Sequence, residues 1–244
     1  MLALFRKEIS SFFSALTGYV VIAIFLLANS LFIWVFPGDL NVLDSGYASL
    51  DTLFFIAPWV FLFLIPAITM RMFSEERRTG TIELLFTKPL SDLEVILAKY
   101  FAGLMLVVFS LLPTLIYYIS VYLLGSPMGN IDVGGFWGSF IGLFFLAGVY
   151  VAIGLFTSSF TDNQIISFLF AILLSFILYT GFDSISSLPL FQSVNQLIAA
   201  IGINEHYKSM SRGVIDSRDI VYFLGIIILF IFTTKFVLQS RKWS

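Results

Sequence analysis

Residues 53–99 read LFFIAPWVFLFLIPAITM-RMFSEERRTGTIELLFTKPLSDLEVILAK. The first part, 53–70, carries no charge. The second, 71–99, carries five bases (Arg71, Arg77, Arg78, Lys88, Lys99) and five acids (Glu75, Glu76, Glu83, Asp92, Glu94). A bilayer core about 30 Å thick takes about 20 apolar residues in a helix, because backbone groups there must bond within their own segment. Residues 53–70 therefore predict a membrane span, and 71–99 the segment that leaves it. Gly80 interrupts the emerging helix. Thr81–Thr87 predicts a short second helix with Glu83 in its first turn, where the helix dipole favours an acid. Pro89 closes it by disfavouring helix at Lys88. Ser91 and Glu94 form a capping-box pattern that launches the next helix. The sum is a short transverse helix held between two spans, able to pass a push from outside the bilayer into it, or else a solvated loop that only connects them.

The same length test finds six spans, at about 18–36, 53–70, 100–124, 136–156, 165–182 and 220–238. Lys235 is their only charge, near enough to an end to snorkel. Apolar residues make up 59% of the chain and charged residues 11%, with a mean hydropathy of +1.00. Soluble domains carry about 25% charged residues. The fold class is all-α integral membrane, as a single membrane domain over 1–244. With no cysteine, disulfides and thiol chemistry are excluded, and His206, the only histidine, cannot form a two-histidine metal motif. No phosphate-binding G-x-x-x-x-G-K-[ST] occurs. No run of Lys and Arg suggests nucleic acid.

Orientation follows from the bases. Arg6 and Lys7, the five bases of 71–99, and Lys235, Arg241 and Lys242 put ten of thirteen on one side. The loops 37–52 and 125–135 hold Asp39, Asp44, Asp51 and Asp132 and no base. Both termini are expected to be cytoplasmic, in a bacterial inner membrane. Tyr19, Tyr100 and Trp243 would mark the inner interface, Trp34 and Trp137 the outer one. The N-terminus does not read as a cleaved signal, since its apolar stretch is span-length with no small-residue cleavage site. In 1–16, Leu2, Phe5, Ile9, Phe12, Phe13 and Leu16 recur at helical spacing opposite Arg6, Lys7, Glu8, Ser10, Ser11 and Ser14. That suits a helix lying in the inner-leaflet interface, or one that extends the first span.

Span interiors hold no ionisable group, only Asn29, Ser30, Ser110, Thr114, Ser120, Ser167 and Ser175. Ion-coupled transport usually uses a buried charge, so any uphill work draws its energy elsewhere. Gly134, Gly138 and Gly142, followed by Gly148 and Gly154, allow close helix approach, within the chain or across a dimer. Pro58, Pro66 and Pro113 predict kinks. In the outer segment 183–219, Leu190, Val194, Leu197, Ile198 and Ile201 form an apolar stripe, fit for a re-entrant or interfacial helix that dips into the outer leaflet or roofs a pathway, or else for an ordinary packed loop. Glu205 and His206 carry no catalytic pattern. The balanced charge of 71–99 suits a protein partner better than an anionic lipid surface.

The run Phe73-Ser74-Glu75-Glu76-Arg77-Arg78-Thr79-Gly80-Thr81-Ile82-Glu83-Leu84-Leu85, continued by Lys88-Pro89-Leu90-Ser91-Asp92, resembles the signature after the second span of type-2 ABC exporter permeases. The likeness extends over the N-terminal helix, the six spans and the outer segment before the sixth. It implies that 71–99 holds a coupling helix docking on a separate cytoplasmic ABC ATPase, which binds the ATP and Mg, so this chain needs no cofactor. Glu75, Glu76, Arg77, Thr79, Gly80, Thr81 and Glu83 would be the coupling residues. Six spans are half of the family's twelve-helix pathway, so a second copy or a homologous membrane subunit is implied. His206-Tyr207, Arg212-Gly213-Val214-Ile215-Asp216 and Arg218-Asp219 resemble the gliding-motility branch of the family. A membrane scaffold that anchors a motility or maturation complex without transport is the competing expectation.

Overall fold

The computed structural model describes residues 1–86, 90–189 and 193–240, with the backbone alone at 84–86. Expectations placed on Thr87, Lys88, Pro89, Leu190, Arg241, Lys242 and Trp243 lie outside the described residues. The described chain is helical and without strands. Six stretches are long and apolar enough to cross a membrane: Thr17–Val35, Asp51–Arg78, Asp92–Leu124, Val133–Phe160, Gln164–Ser186 and Ser217–Ser240. The six-span all-α architecture read from the sequence stands.

In chain order, α1 is Leu2–Ser14 and α2 is Thr17–Ser30, extended by a π segment Leu31–Val35. The short α3 (Val42–Ser45) leads to α4 (Asp51–Thr69), α5 (Arg71–Arg78) and α6 (Thr81–Phe86). Then come α7 (Asp92–Leu111), a 3₁₀ turn Leu112–Thr114 and α8 (Leu115–Leu124). Next are α9 (Val133–Phe160), α10 (Gln164–Phe176), a π segment Ile177–Gly181 and α11 (Phe182–Ser186). The chain ends with α12 (Asn195–Ala199), α13 (Ile203–Ser211) and α14 (Ser217–Ser240). The α4–α5 stretch has 28 residues, about 42 Å at 1.5 Å per residue, so one end must stand clear of a 30 Å core.

The hub is α9. It is apolar all round, as a helix enclosed by others must be, and it packs against α4, α7, α10, α13 and α14. Its glycines make this possible. A Cβ on Gly154 would lie 1.9 Å from the Thr69 hydroxyl of α4, and one on Gly138 would lie 2.2 Å from the Met210 carbonyl of α13. The glycine series is thus used within the chain, bringing α4 and α13 onto α9.

Proline acts in two ways. At Pro113 the α-helix gives way to the 3₁₀ turn, whereas α4 runs through Pro58 and Pro66 as one helix. Pro58 has no N–H for the Phe54 carbonyl one turn back. The Tyr207 hydroxyl donates to that carbonyl instead, at 2.8 Å. The proline therefore opens a polar socket in α4 that α13 fills.

This relocates the packed part of the outer segment. Of the stripe expected over Leu190–Ile201, α12 covers only Asn195–Ala199, and Val194, Leu197 and Ile201 stay exposed. Ile203, Tyr207 and Met210, spaced i, i+4, i+7 on α13, are buried instead. The glycine-lined groove of α9 accepts them. Tyr207 contacts the Gly142 position, about 13 Å along α9 from Val133, so α13 sits well below the end of that span.

Most of the polar span residues bond to their own helices. Asn29 donates to Phe25, Ser110 to Leu106, Thr114 to Leu111 and Ser120 to Ile116 carbonyls. Ser30 and Tyr117 join two spans through a 2.6 Å hydroxyl contact.

Candidate functional site

The charged segment 71–99 meets both ends of the described chain at one end of the bundle: Glu8 of α1 contacts Lys99, and Gln239 of α14 donates to Asp92. Here α5 continues the line of α4 beyond the apolar region. Its two faces have separate work.

The inward face is built on Lys99. This lysine is 1% exposed on α7, and its Nζ donates to Glu8 Oε1 (3.0 Å), Glu76 Oε1 (2.9 Å) and the Met72 carbonyl (2.7 Å). A buried ammonium is tolerated only when its donors are all met, and these three acceptors meet them. The Phe73 ring lies 5.1 Å from the same nitrogen. This knot ties α1, α5 and α7 together. One turn on, the Ser74 hydroxyl donates to the Ser158 carbonyl at 3.2 Å, and the Arg77 guanidinium donates to the Ser159 carbonyl. Ser158 and Ser159 end α9, where carbonyls lack partners in the helix and the dipole favours a cation. So α5 also caps the hub helix.

The outward face carries Glu75, Thr79 and Thr81, all exposed. Thr79 hydroxyl bonds back to the Glu75 carbonyl at 2.8 Å and meets the Thr81 hydroxyl at 2.9 Å, closing the α5–α6 turn. Gly80 takes φ +71°, a left-handed conformation that side chains disfavour, with open space where a Cβ would point. Beyond it Ile82 is buried and Glu83 exposed at the start of α6. Ser91 caps α7 in a complete capping box with Glu94. The Ser91 N–H and hydroxyl both donate to the Glu94 carboxylate, at 2.9 and 3.0 Å.

Between α1 and α5 lies a cleft of about 350 Å³ lined by charges of both signs, among them Lys7, Arg71 and Glu75. Lys7 reaches Glu8 (3.3 Å) and Glu76 (3.4 Å) from its rim. Partial burial pulls the Lys7 pKa down, but the two carboxylates outweigh it and leave it raised.

The seven residues singled out in the sequence thus fall into two groups. Glu76 and Arg77 are turned inward and tie helices together; Glu75, Thr79 and Thr81 are exposed along the open cleft beside α1, Glu83 is exposed at the start of α6, and Gly80 makes the turn. Sequence reasoning missed Lys99 and Glu8 as partners. The signal was present: Val95, Lys99, Ala102 and Leu106 share one face, as do Leu4, Glu8 and Phe12. A charge set within an apolar stripe is a charge awaiting a buried partner.

The family model for ABC-2 family transporter protein matches residues 39–238, which spans α4 through nearly all of α14. A comparison with curated proteins found no match. With six membrane-length helices and that match over most of its length, the chain belongs to the ABC-2 transporter family and is a multi-pass membrane permease subunit of an ABC transporter.

Proposed function

We propose that this chain is the membrane half of an ATP-driven machine whose ATPase is a separate cytoplasmic polypeptide, and that α5 and α6 are where the ATPase takes hold. The observation that carries this reading is the division of labour on α5–α6. Glu75, Thr79, Thr81 and Glu83 are presented to a partner, while Glu76 and Arg77, on the same two turns, hold α1, α7 and α9. Force applied to the outward face passes directly to the N-terminal helix and the hub. A second copy or a homologous subunit completes the pathway, both termini are cytoplasmic, and α1 lies along the inner leaflet. The ATP and Mg belong to the partner. The likeness around His206–Asp219 favours the gliding-motility system, in which the output is export or mechanical work.

The test is charge reversal, Glu83→Lys. The variant should insert and fold normally while ATP hydrolysis by the assembled complex no longer drives its output. Coupled hydrolysis at the native level would overturn the reading. A second reading, a force-transmitting scaffold, is favoured by the span hydroxyls that bond to their own helices. Movement of a solute in proteoliposomes carrying the full complex separates the two.

A further inference from the structure

At the end of the bundle opposite the termini, α13 is held by three sets of contacts. Tyr207 fills the α4 socket, Asn204 and Lys208 reach Asp183 of α11 (2.6 and 3.4 Å), and His206 bridges to α14. The last differs from the others. His206 Nδ1 lies 2.7 Å from Asp219 Oδ1, and Nε2 lies 2.9 Å from the Ala200 carbonyl. A carbonyl only accepts, so Nε2 carries a hydrogen. A neutral ring would then turn the Nδ1 lone pair toward a carboxylate oxygen, which repels it. A second proton must sit between Nδ1 and Oδ1.

The surroundings keep that proton in place. Asp219 is 4% exposed, and its Oδ2 is buried without a hydrogen-bond partner. The imidazole stacks on Tyr222 at 3.7 Å, and the Tyr222 hydroxyl donates to the Ile201 carbonyl next to the one His206 uses. From α13 itself the nearby charges are Glu205 and Lys208, the latter committed to Asp183. From α14 they are Arg218, which is exposed, and Asp219. At the α13 contact α9 presents Gly138 and Gly142, and the π segment presents Tyr179, whose ring packs on Trp59 and Tyr150.

We infer that the His206–Asp219 pair is a proton-dependent latch that fastens the outer helix α13 to the last span, closed while the shared proton is bound and released when it is lost. On the reading that this end faces outward, the latch senses the pH outside the membrane. The inference stands on its own geometry and needs no ATPase.

Two features make it testable in the intact protein. His206 is the only histidine, so ¹⁵N-histidine labelling gives one imidazole signal. With the latch closed, a hydrogen shared between Nδ1 and Asp219 should appear strongly downfield, and it should vanish as the two helices part. A bare Nδ1 with no such hydrogen at any pH would overturn the inference. The chain also lacks cysteine, so spin labels at Arg212→Cys and Val221→Cys, both exposed and outside the contacts that hold α13, report the α13–α14 separation alone. The distance should be single at low pH and gain a longer component as pH rises. Asp219→Asn, whose amide donates to neutral Nδ1, should keep the single distance at every pH. A wild-type distance unchanged across the titration, or a pH response that persists in His206→Ala, would sink the latch.

Discussion

Replacing Lys99 by methionine keeps the length of the side chain and removes its charge. What remains is a carboxylate pair, Glu8 and Glu76, with side chains 9% and 14% exposed, and a Met72 carbonyl without its donor. Removing one partner of a buried ion pair costs about 3–5 kcal/mol, since the other charge is stranded. Lys7 already pairs with both carboxylates, and at 61% side-chain exposure its pairing is worth about 1 kcal/mol at most. The net penalty on α1 docking is about 2–4 kcal/mol, or roughly 30- to 1,000-fold in the undocked population. Leu4, 8% exposed on the docked face, becomes the sole thiol in a Leu4→Cys protein. Its maleimide labelling rate should rise by about that factor on adding Lys99→Met. Adding Glu8→Gln and Glu76→Gln should return most of it, because no charge is then stranded. A labelling rate unmoved by Lys99→Met would refute the claim that this knot holds α1.

Tyr207→Phe should cost about 1–3 kcal/mol, by stranding the Phe54 carbonyl, and markedly less in a Pro58→Ala background, where residue 58 regains the N–H for that carbonyl; equal costs in both would break the socket argument. Gly138→Ala forces a Cβ onto the Met210 carbonyl and should destabilise by about 1–3 kcal/mol, whereas Gly225→Ala, with open space around it, should leave the melting temperature unchanged. Ser91→Ala removes the α7 cap and should cost about 0.5–2 kcal/mol in the melt of the purified protein. The Lys7 pKa is raised on folding, so its pairing stabilises at neutral pH and is lost as pH climbs through the folded value, above the ordinary lysine range. Lys7→Gln should flatten that alkaline limb of the stability profile.

The six spans were legible because a run of apolar residues long enough for a bilayer has few other uses. The capping box at Ser91 was legible because it is local. What escaped the sequence depends on partners far along the chain. Lys99 meets Glu8 across 91 positions and Glu76 across 23, so its place in an apolar stripe announces a buried partner but not which one. The α13 helix was overlooked for a related reason. The stripe Val194–Ile201 is the more apolar segment and stays exposed, whereas Ile203–Met210 packs because of the groove that Gly138 and Gly142 leave in α9. The π segments at Leu31–Val35 and Ile177–Gly181 have no single-residue marker, unlike the proline that sets the 3₁₀ turn at 112–114. For the coupling residues, sequence placed the segment but could not divide it. Only packing separates Glu76 and Arg77, which grip the bundle, from Glu75 and Glu83, which do not.

The most direct check on the account is to place a photo-crosslinking residue at position 83, and separately at position 216 as a control at the far end, in the chain within its native membranes. The account predicts that position 83 forms an adduct with a Walker-motif ATPase and that position 216 forms none. If position 83 gives no such adduct, or position 216 gives the same one, α5 and α6 are not the grip of a cytoplasmic motor.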